Sequence, residues 1–450
     1  MSKFLDIDTI CAPATASGGA ICIIRISGPA AFKAAANVCG NIREKCVDRK
    51  SYLCKIYDGS DILDEAIITR YKAPNSYTGE DCVEISCHGS RYIISRILTM
   101  LTDNGARLAK PGEFTQRAFL NGKMDLSQAE AVADLISADS QSAHHAAMSQ
   151  MRGNLKNKLV ELRDKLLKLT SLLELELDFS DHEDLEFADR KELSTLTDDI
   201  DNHISALLHS FKTGEAIKEG IPVAIIGETN VGKSTLLNKL LKEDRAIVSD
   251  IHGTTRDTIE DTIQIDGLTF RFIDTAGLRQ TDDTIEKIGI ERTYKAIERA
   301  RIILWITDQR PSNRQFNEIK EISEGKELII IQNKADLLSA REKWTCPMTF
   351  ISAKNGEGIS ELEETIYKAA GIVNPTTEDV IISSARHAEA LKEALASLRK
   401  AQKGLKSNIP SDLIAEDLRT VLTSLAEITG GEITSQETLN NIFSHFCVGK

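Results

Sequence analysis

The sequence predicts a multidomain fold of mixed class, α/β and α. An N-terminal α/β domain is followed by a helical domain, and a parallel-sheet nucleotide domain is inserted into the helical one. Three observations predict it. The chain has 450 residues, room for several domains at roughly 100–200 residues each. Gly227–Ser234 reads G-x-x-x-x-G-K-[ST], a phosphate-binding loop between a strand-like and a helix-like run. Amphipathic helical texture lies on both sides of that domain, over about 125–211 and again after Asn374-Pro375. Two helical blocks around one nucleotide segment are most simply one helical domain with an insertion. That arrangement would let nucleotide state move helices directly.

The elements follow in order. Gly19–Gly28 is a strand between glycines, and Ala66–Tyr71 and Asp81–Cys87 read as further strands. Pro74-Asn75-Ser76 and Pro111-Gly112 are turn signals. Leu155, Leu159, Leu162, Leu166, Leu169 and Leu173 recur three or four residues apart among charges, the stripe of a long helix. It reads as helix-bundle core rather than a membrane surface. Val223–Ile226 is a buried strand, and Thr235–Leu241 has helical spacing. Thr262–Phe270 reads as two strands around Asp266-Gly267. Leu413, Ile414, Leu418, Val421, Leu422, Leu425 and Ile428 are expected to form one apolar helix face. The expected boundaries are 1–118, 119–215, 216–372 and 373–450.

The net charge of −13 argues against a generally basic nucleic-acid coat; an RNA partner would need a local patch or another protein for its positive field. Nine cysteines are scattered without a C-x-x-C pair, as in a reducing cytosol, and a cytoplasmic location is expected. Cys82, Cys87 and His88 are neighbours but lack zinc spacing. The first nine residues include Asp6 and Asp8, so no signal peptide is expected, and no run is long and apolar enough to cross a membrane.

The phosphate loop's spacing has a physical reason. Its glycines let backbone N–H groups converge on phosphate oxygens. Lys233 adds charge for the β and γ phosphates, Ser234 is placed for Mg²⁺, and the following helix turns its N-terminus to the anion. Three later segments specify GTP. Asp274-Thr275-Ala276-Gly277 follows the strand Phe270–Ile273, where a Mg²⁺-linked carboxylate and a γ-phosphate-sensing glycine belong. Asn333-Lys334-Ala335-Asp336 ends the strand Leu328–Ile331. Its Asp336 carboxylate can accept two hydrogen bonds from guanine's N1–H and 2-amino group, donors that adenine lacks. Ser352-Ala353-Lys354 closes over the base. After Gly277 comes Leu278, where Ras-type enzymes place a water-orienting Gln. An apolar side chain cannot orient water, so another residue and another positive charge are needed. The inserted domain is therefore a Ras-like P-loop GTPase domain.

With this set, Gly253-Thr254-Thr255-Arg256-Asp257, the stretch Asn75–Asp81, Arg117–Asn121 and the tail Phe446-Cys447-Val448-Gly449-Lys450, the chain resembles the MnmE (TrmE) family of tRNA-modification GTPases over nearly its full length. The Cys-x-Gly-Lys ending is the most specific piece; the Gly253–Asp257 segment marks only a superfamily. The resemblance implies an N-terminal domain similar to tetrahydrofolate-binding domains that carries a homodimer contact. It implies a helical domain presenting the tail to the folate. With an FAD-dependent partner, MnmG, in a heterotetramer, such a protein installs a carboxymethylaminomethyl or aminomethyl group. The target is C5 of the tRNA wobble uridine, position 34, and the carbon comes from 5,10-methylene- or 5-formyl-tetrahydrofolate.

Residue by residue, the resemblance implies folate contacts at Arg25, Glu84, Lys123 and Lys450. The residues alone would read Arg25, Glu84 and Lys123 as surface ion pairs. Cys447 reads as packed, or as a nucleophile or acid/base. Glu286 matches the family's catalytic acid residue, acting on the attacking water through a bridging water; the residue alone reads as a solvated helix-start charge. K⁺ takes the place of an arginine finger, with Asn230, the carbonyls of Ser249 and Ile251, and Thr254 around it. Thr255 joins Ser234 on Mg²⁺. The implied GTP shell comprises Asn230, Val231, Gly232, Lys233, Ser234 and Thr235; Ser249, Asp250, Ile251, His252, Gly253, Thr254 and Thr255; Asp274, Thr275, Ala276 and Gly277; Asn333, Lys334 and Asp336; and Ser352, Ala353 and Lys354. His252 has no separate role.

Two other functions use the same nucleotide motifs. A ribosome-assembly GTPase leaves the tail and the N-terminal domain without a reason and would need an RNA-binding module, of which this acidic chain shows no basic KH-like segment. A nucleotide-switched scaffold would do no carbon chemistry, and folate binding by the N-terminal domain separates it from the leading reading.

Overall fold

The computed structural model describes residues 8–16, 18–40, 47–178, 190–244, 261–273, 294–338, 347–407 and 409–431, with 439, 442–444, 446 and 449 near the end. The chain divides into two compact units. One comprises residues 1–136, 150–202 and 390–450; the other comprises 137–149 and 203–389.

The first unit begins with strands β1 (Thr9–Pro13) and β2 (Ile21–Ser27), helix α1 (Ala31–Val38), and strands β3 (Ser51–Asp58), β4 (Asp61–Tyr71) and β5 (Cys82–His88). Helix α2 (Arg91–Asp103), β6 (Ala106–Leu108) and α3 (Glu113–Leu120) follow. The six strands pair in the order β3-β4-β5-β2-β1-β6. All pairs are antiparallel except β1 with β6. Alternation in β2 sends Cys22, Ile24 and Ile26 into a core shared with Ala31, Ala34, Ile94, Ile97 and Leu101 of α1 and α2. Ile23 and Arg25 take the other face.

Helices α4 (Leu126–Ser137), α5 (Gln141–Met151), α6 (Asn154–Asp178) and α7 (Arg190–Glu219) come next. The whole Leu155–Leu173 stripe of α6 is buried, as expected for bundle core. Helix α6 packs on the helix Ser411–Thr429, where Ile414, Leu418, Val421, Leu425 and Ile428 are buried. Leu413 departs from the expected face and is 52% exposed. It lies one residue, about 100°, around the helix from Ile414, outside the stripe that faces α6.

The second unit holds a six-stranded sheet in the order β12-β11-β10-β7-β9-β8. Its strands are β7 (Ile221–Ile226), β8 (Asp261–Ile265), β9 (Leu268–Phe272), β10 (Ile302–Thr307), β11 (Glu327–Gln332) and β12 (Thr349–Phe350). Every pair is parallel except the hairpin β8–β9. Asp266 (φ 47°) and Gly267 (φ 79°) form the hairpin turn, both in the left-handed region that a two-residue hairpin requires. Ile302, Leu304 and Ile306 bury one face of β10, and Ile303 and Trp305 bury the other, as expected of a parallel strand covered on both sides. Helix α8 (Lys233–Asp244) follows the phosphate loop. This is the Ras-like arrangement that the sequence predicts. Helix α5 belongs to this unit through Ala143 and Ala146, which pack against the core that contains Ile263, Ile265 and Leu268.

Cys11, Cys22, Cys39, Cys54, Cys82 and Cys87 are free and buried. Burial pushes the Cys11 thiol up to about 11 and the Cys87 thiol up to about 12, which keeps both protonated and unreactive. His88 Nδ1 bonds to Asp64 Oδ1 at 2.6 Å. Among the described residues no group of His, Cys, Asp and Glu could hold a metal ion, and no helix is long and apolar enough to cross a membrane. Cys46, Cys346 and Cys447 lie outside the described residues.

Candidate functional site

The nucleotide motifs meet at the C-terminal ends of β7, β10, β11 and β12, where an open parallel sheet binds its ligand. Gly227 (φ 146°) leaves β7, Asn230 (φ 64°) turns the loop, and Gly232 (φ 98°) leads into α8. A side chain at Gly227 would run into the Ile306 carbonyl, and one at Gly232 into the Asn333 amide. Both glycines are thus needed for close approach as well as for φ. Lys233 Nζ donates to the carbonyls of Gly227 (2.7 Å) and Glu228 (2.6 Å). Its charge therefore lies within the curl of the loop. Burial pushes the Lys233 amine below its ordinary value, against the opposing effect of Glu228. Ser234 is half-buried at the second position of α8, and Thr235 is exposed.

Asn333 joins the separate segments. Only 3% exposed, it donates from Nδ2 to the Val231 carbonyl (2.8 Å) and accepts from the Ala353 amide (3.0 Å). Its own amide bonds the Thr307 carbonyl at 2.8 Å. One side chain thus fixes the phosphate loop to the base-side loop. Lys334 adopts φ 59°, and its Nζ meets Asp308 Oδ2 at 2.8 Å. Asp336 is exposed in the short helix Ala335–Leu337, which the bond from the Ala335 amide to the Ile351 carbonyl (3.0 Å) ties to the residue after β12. Ser352 and Ala353 are buried and Lys354 is exposed.

A second polar site lies in the first unit. Arg25 and Glu84 are directly opposed on β2 and β5. Arg25 reaches Glu84 Oε1 through Nε (3.0 Å) and Nη2 (2.8 Å), and Tyr71 Oη donates to Glu84 Oε2 at 3.4 Å. The guanidinium stands over the rings of Tyr77 (5.1 Å) and Phe114 (5.8 Å). Arg25 Nη1 also donates to the carbonyl of Gly449 at 3.4 Å. Lys123 Nζ donates to the Pro74 carbonyl at 3.0 Å.

Beside it, buried Arg117 donates to the Asp8 carbonyl (2.8 Å), Glu80 Oε2 (3.2 Å) and Glu113 Oε1 (3.1 Å). Asn121 Nδ2 donates to the Thr78 carbonyl at 2.8 Å. Burial alone would raise the Glu113 carboxyl, but hydrogen bonds from Arg107 and the Lys110 amide hold it below its ordinary value. The Asn75–Asp81 stretch and the Arg117–Asn121 segment therefore hold one another.

Comparison with known proteins places the chain. Residues 126–447 match the family model "MnmE helical domain", and residues 9–123 match "GTP-binding protein TrmE N-terminus". The tRNA modification GTPase MnmE of Phocaeicola vulgatus is 50% identical, covering 100% of both chains. That of Bacteroides thetaiotaomicron is 50% identical over 98% of this chain and 99% of the relative. The chain belongs to the MnmE family of tRNA modification GTPases. It is accordingly classed with the GTP hydrolases. Among solved structures, the G domain of the T. maritima FeoB iron transporter is 26% identical over 33% of this chain and 98% of that one, at a TM-score of 0.25.

Of the residues expected to form the MnmE-type site, the structure brings together Asn230–Thr235, Asn333–Asp336 and Ser352–Lys354 around one sheet edge. It brings Arg25 and Glu84 together on another sheet. Ser249–Thr255, Asp274–Gly277, Glu286, Cys447 and Lys450 lie outside the described residues. Sequence reasoning did not find Tyr71, Tyr77, Asp308 or Arg117. Tyr77 and Arg117 fall inside the two N-terminal stretches that carry the resemblance. Tyr71 ends β4 and Asp308 follows β10, with no motif to mark them.

Proposed function

We propose that this chain hydrolyses GTP to drive modification of the wobble uridine of tRNA at C5. An FAD-dependent partner, MnmG, and a tetrahydrofolate one-carbon unit complete the chemistry. The bridging by Asn333 carries the reading, because it supports one site in which a phosphate loop and a guanine-reading segment act on the same nucleotide. In this reading Lys233 and the N-terminus of α8 take the phosphates, and Asp336 selects guanine. The Ser234 hydroxyl is a hard oxygen donor of the kind Mg²⁺ prefers, and Thr255 is assigned beside it. Bound Mg²⁺ would neutralise charge on the β and γ phosphates.

Asn230, exposed at the rim of the loop, suits a K⁺ ion by its neutral oxygen; Ser249, Ile251 and Thr254 are assigned the rest of that shell. Glu286 is assigned to the attacking water, because Leu278 cannot hold it. Arg25, Glu84, Lys123 and Lys450 are assigned to folate. A carboxylate opposite a guanidinium can meet both the N–H donors and the carboxylates of such a ligand. The proximity of Gly449 to Arg25 supports placing the tail there, with Cys447 as a candidate for chemistry. We assign residues 1–118 to the folate and homodimer domain, 119–215 and 373–450 to the helical domain, 216–372 to the GTPase domain, and the whole to the cytoplasm.

Mass spectrometry of wobble nucleosides from a strain lacking the chain tests the reading. The expected result is uridine without its C5 group, restored by the wild-type chain. Full modification in that strain would overturn it.

A further inference from the structure

The β8–β9 hairpin occupies a special place in the chain. Its two strands lie between the segment that carries Gly253–Asp257 and the one that begins at Asp274. Its open end is thus joined to the segment whose Thr254 and Thr255 the proposed function assigns to K⁺ and Mg²⁺, and to the segment in which the sequence marks Gly277 as the γ-phosphate-sensing glycine. Its closed end is gripped by residues that come from neither.

The grip has two sides. From the α5 side, the Ser142 amide donates to the Gly267 carbonyl at 3.1 Å. Asp139 accepts from Thr269 Oγ1 at 3.0 Å, and its carbonyl accepts from Gln264 Nε2. From the other side, Asn374 Nδ2 donates to the Asp266 carbonyl at 2.6 Å. Ser142 Oγ donates to Asn374 Oδ1 at 2.9 Å and closes the ring. Behind it, His145 Nδ1 bonds the Pro375 carbonyl (2.9 Å) and Ser149 Oγ donates to the Asp379 carbonyl (2.6 Å). Ser142, Ser149 and Thr269 are buried. The bonds that these three make are therefore partly shielded from water and costly to break without replacement, whereas those of Asn374 to Asp266 and Gln264 to Asp139 are exposed.

In sequence, α5 leads through Gly153 into α6, and Asn374–Asp379 leads into the helix Ala385–Lys406. The ring thus ties the turn of one hairpin to the approach of both helical blocks. A hairpin paired from Asp261↔Phe272 to Ile265↔Leu268 moves as one body, because its ladder would have to break for it to bend. A packed element of this kind passes on a displacement at one end rather than absorbing it.

We propose that Ser142 and Asn374 are coupling residues: through the β8–β9 hairpin they transmit nucleotide state to the two helical blocks. The proposal rests on the function above in taking the chain on either side of the hairpin to respond to the nucleotide's phosphates and their ions. Both residues lie outside the phosphate and base segments.

Hydrogen exchange of the full chain, with GDP and with a non-hydrolysable GTP analogue, each with Mg²⁺ and K⁺, tests it. In the wild type, amides of 139–149 and 374–379 should exchange at rates that differ several-fold between the two nucleotides. Ser142→Ala/Asn374→Ala removes the two side-chain links between the hairpin turn and 374–379 but keeps the Ser142 amide and Asp139 bonds, so the difference should shrink at 374–379 and persist at 139–149. GTP turnover should stay within about two-fold, since neither residue touches the reacting atoms. Wobble modification in a complemented strain should fall about ten-fold, a loss that uncoupling alone would give. Wild-type protection of 227–235 by nucleotide, without any difference at 139–149, would overturn the proposal and leave the functional reading standing. No protection of 227–235 by either nucleotide would take down both. A double variant that loses turnover in step with modification would mark the two residues as supports of the nucleotide site, and would overturn the coupling role.

Discussion

Replacing Asn333 by Ala puts the central claim about the nucleotide site at risk. The side chain is 3% exposed and holds two backbone groups from segments far apart in the chain, the Val231 carbonyl at 2.8 Å and the Ala353 amide at 3.0 Å. Truncation leaves both buried without that partner. At about 1–3 kcal/mol for each unsatisfied group, the cost is about 2–6 kcal/mol. The loss falls on nucleotide affinity if GTP must then order the two loops itself. Because about 1.4 kcal/mol is tenfold in affinity, even the lower bound weakens GTP about 30-fold. Titration with a fluorescent GTP analogue measures this, and urea unfolding of the same variant separates a general loss of stability. Asn333→Asp serves as a second variant. It keeps the acceptor for Ala353 but sets a carboxylate against the Val231 carbonyl, so it should bind GTP no better than the Ala variant. Affinity within about two-fold of wild type, with an unchanged urea midpoint, would refute the bridging role.

Asp336→Asn should lose GTP and gain xanthosine triphosphate, at a cost on the order of 2–5 kcal/mol for the lost charge-assisted pair; competition binding with both nucleotides decides, and unchanged GTP affinity rejects the assignment. Exchange of K⁺ for Na⁺ at constant ionic strength should cut turnover strongly, whereas equal rates in the two salts would remove Asn230 from any K⁺ shell. Glu286→Ala should lower turnover with GTP affinity near its original value, the signature of a residue used in the transition state alone; an equal loss of affinity would make it structural. Removal of Cys447–Lys450 should spare GTP turnover and abolish wobble modification, and Cys447→Ser separates the thiol from Lys450. Normal modification by the truncated chain would make the tail a bystander.

How much was legible depended on how local each signal was. Gly227–Ser234, the Asp266-Gly267 turn and the α6 leucine stripe are each written within a few turns of chain, and all three appear as read. The partners of Asn333 could not be read, because Val231 lies 102 positions away and only the sheet order brings it near. Leu413 misled because a leucine next to a stripe looks like part of it until the packing partner fixes the angle. Helix α5 was hardest. Its contacts are made by Ser142, Ser149, Ala143 and Ala146, small residues that leave no hydrophobic period, so nothing in its pattern separated it from its helical neighbours.

The pair Arg25–Glu84 poses the question that the sequence left open: an ordinary ion pair, or a binding site. An isolated surface pair is worth about 0–1 kcal/mol and needs no further partners. This one has them. Its side chains are only 17% and 25% exposed, and Tyr71 shares the carboxylate while two aromatic rings flank the guanidinium. Both residues sit on central strands of the sheet, which fixes their geometry better than a loop would. The Gly449 carbonyl also converges on Arg25 from 424 residues away. An ion pair that only braces the sheet gains little from a contact brought from so far along the chain. Partners drawn from β4, from the Asn75–Asp81 stretch, from α3 and from Gly449 are more than bracing requires, and that excess is why the proposed function assigns Arg25 and Glu84 to a ligand.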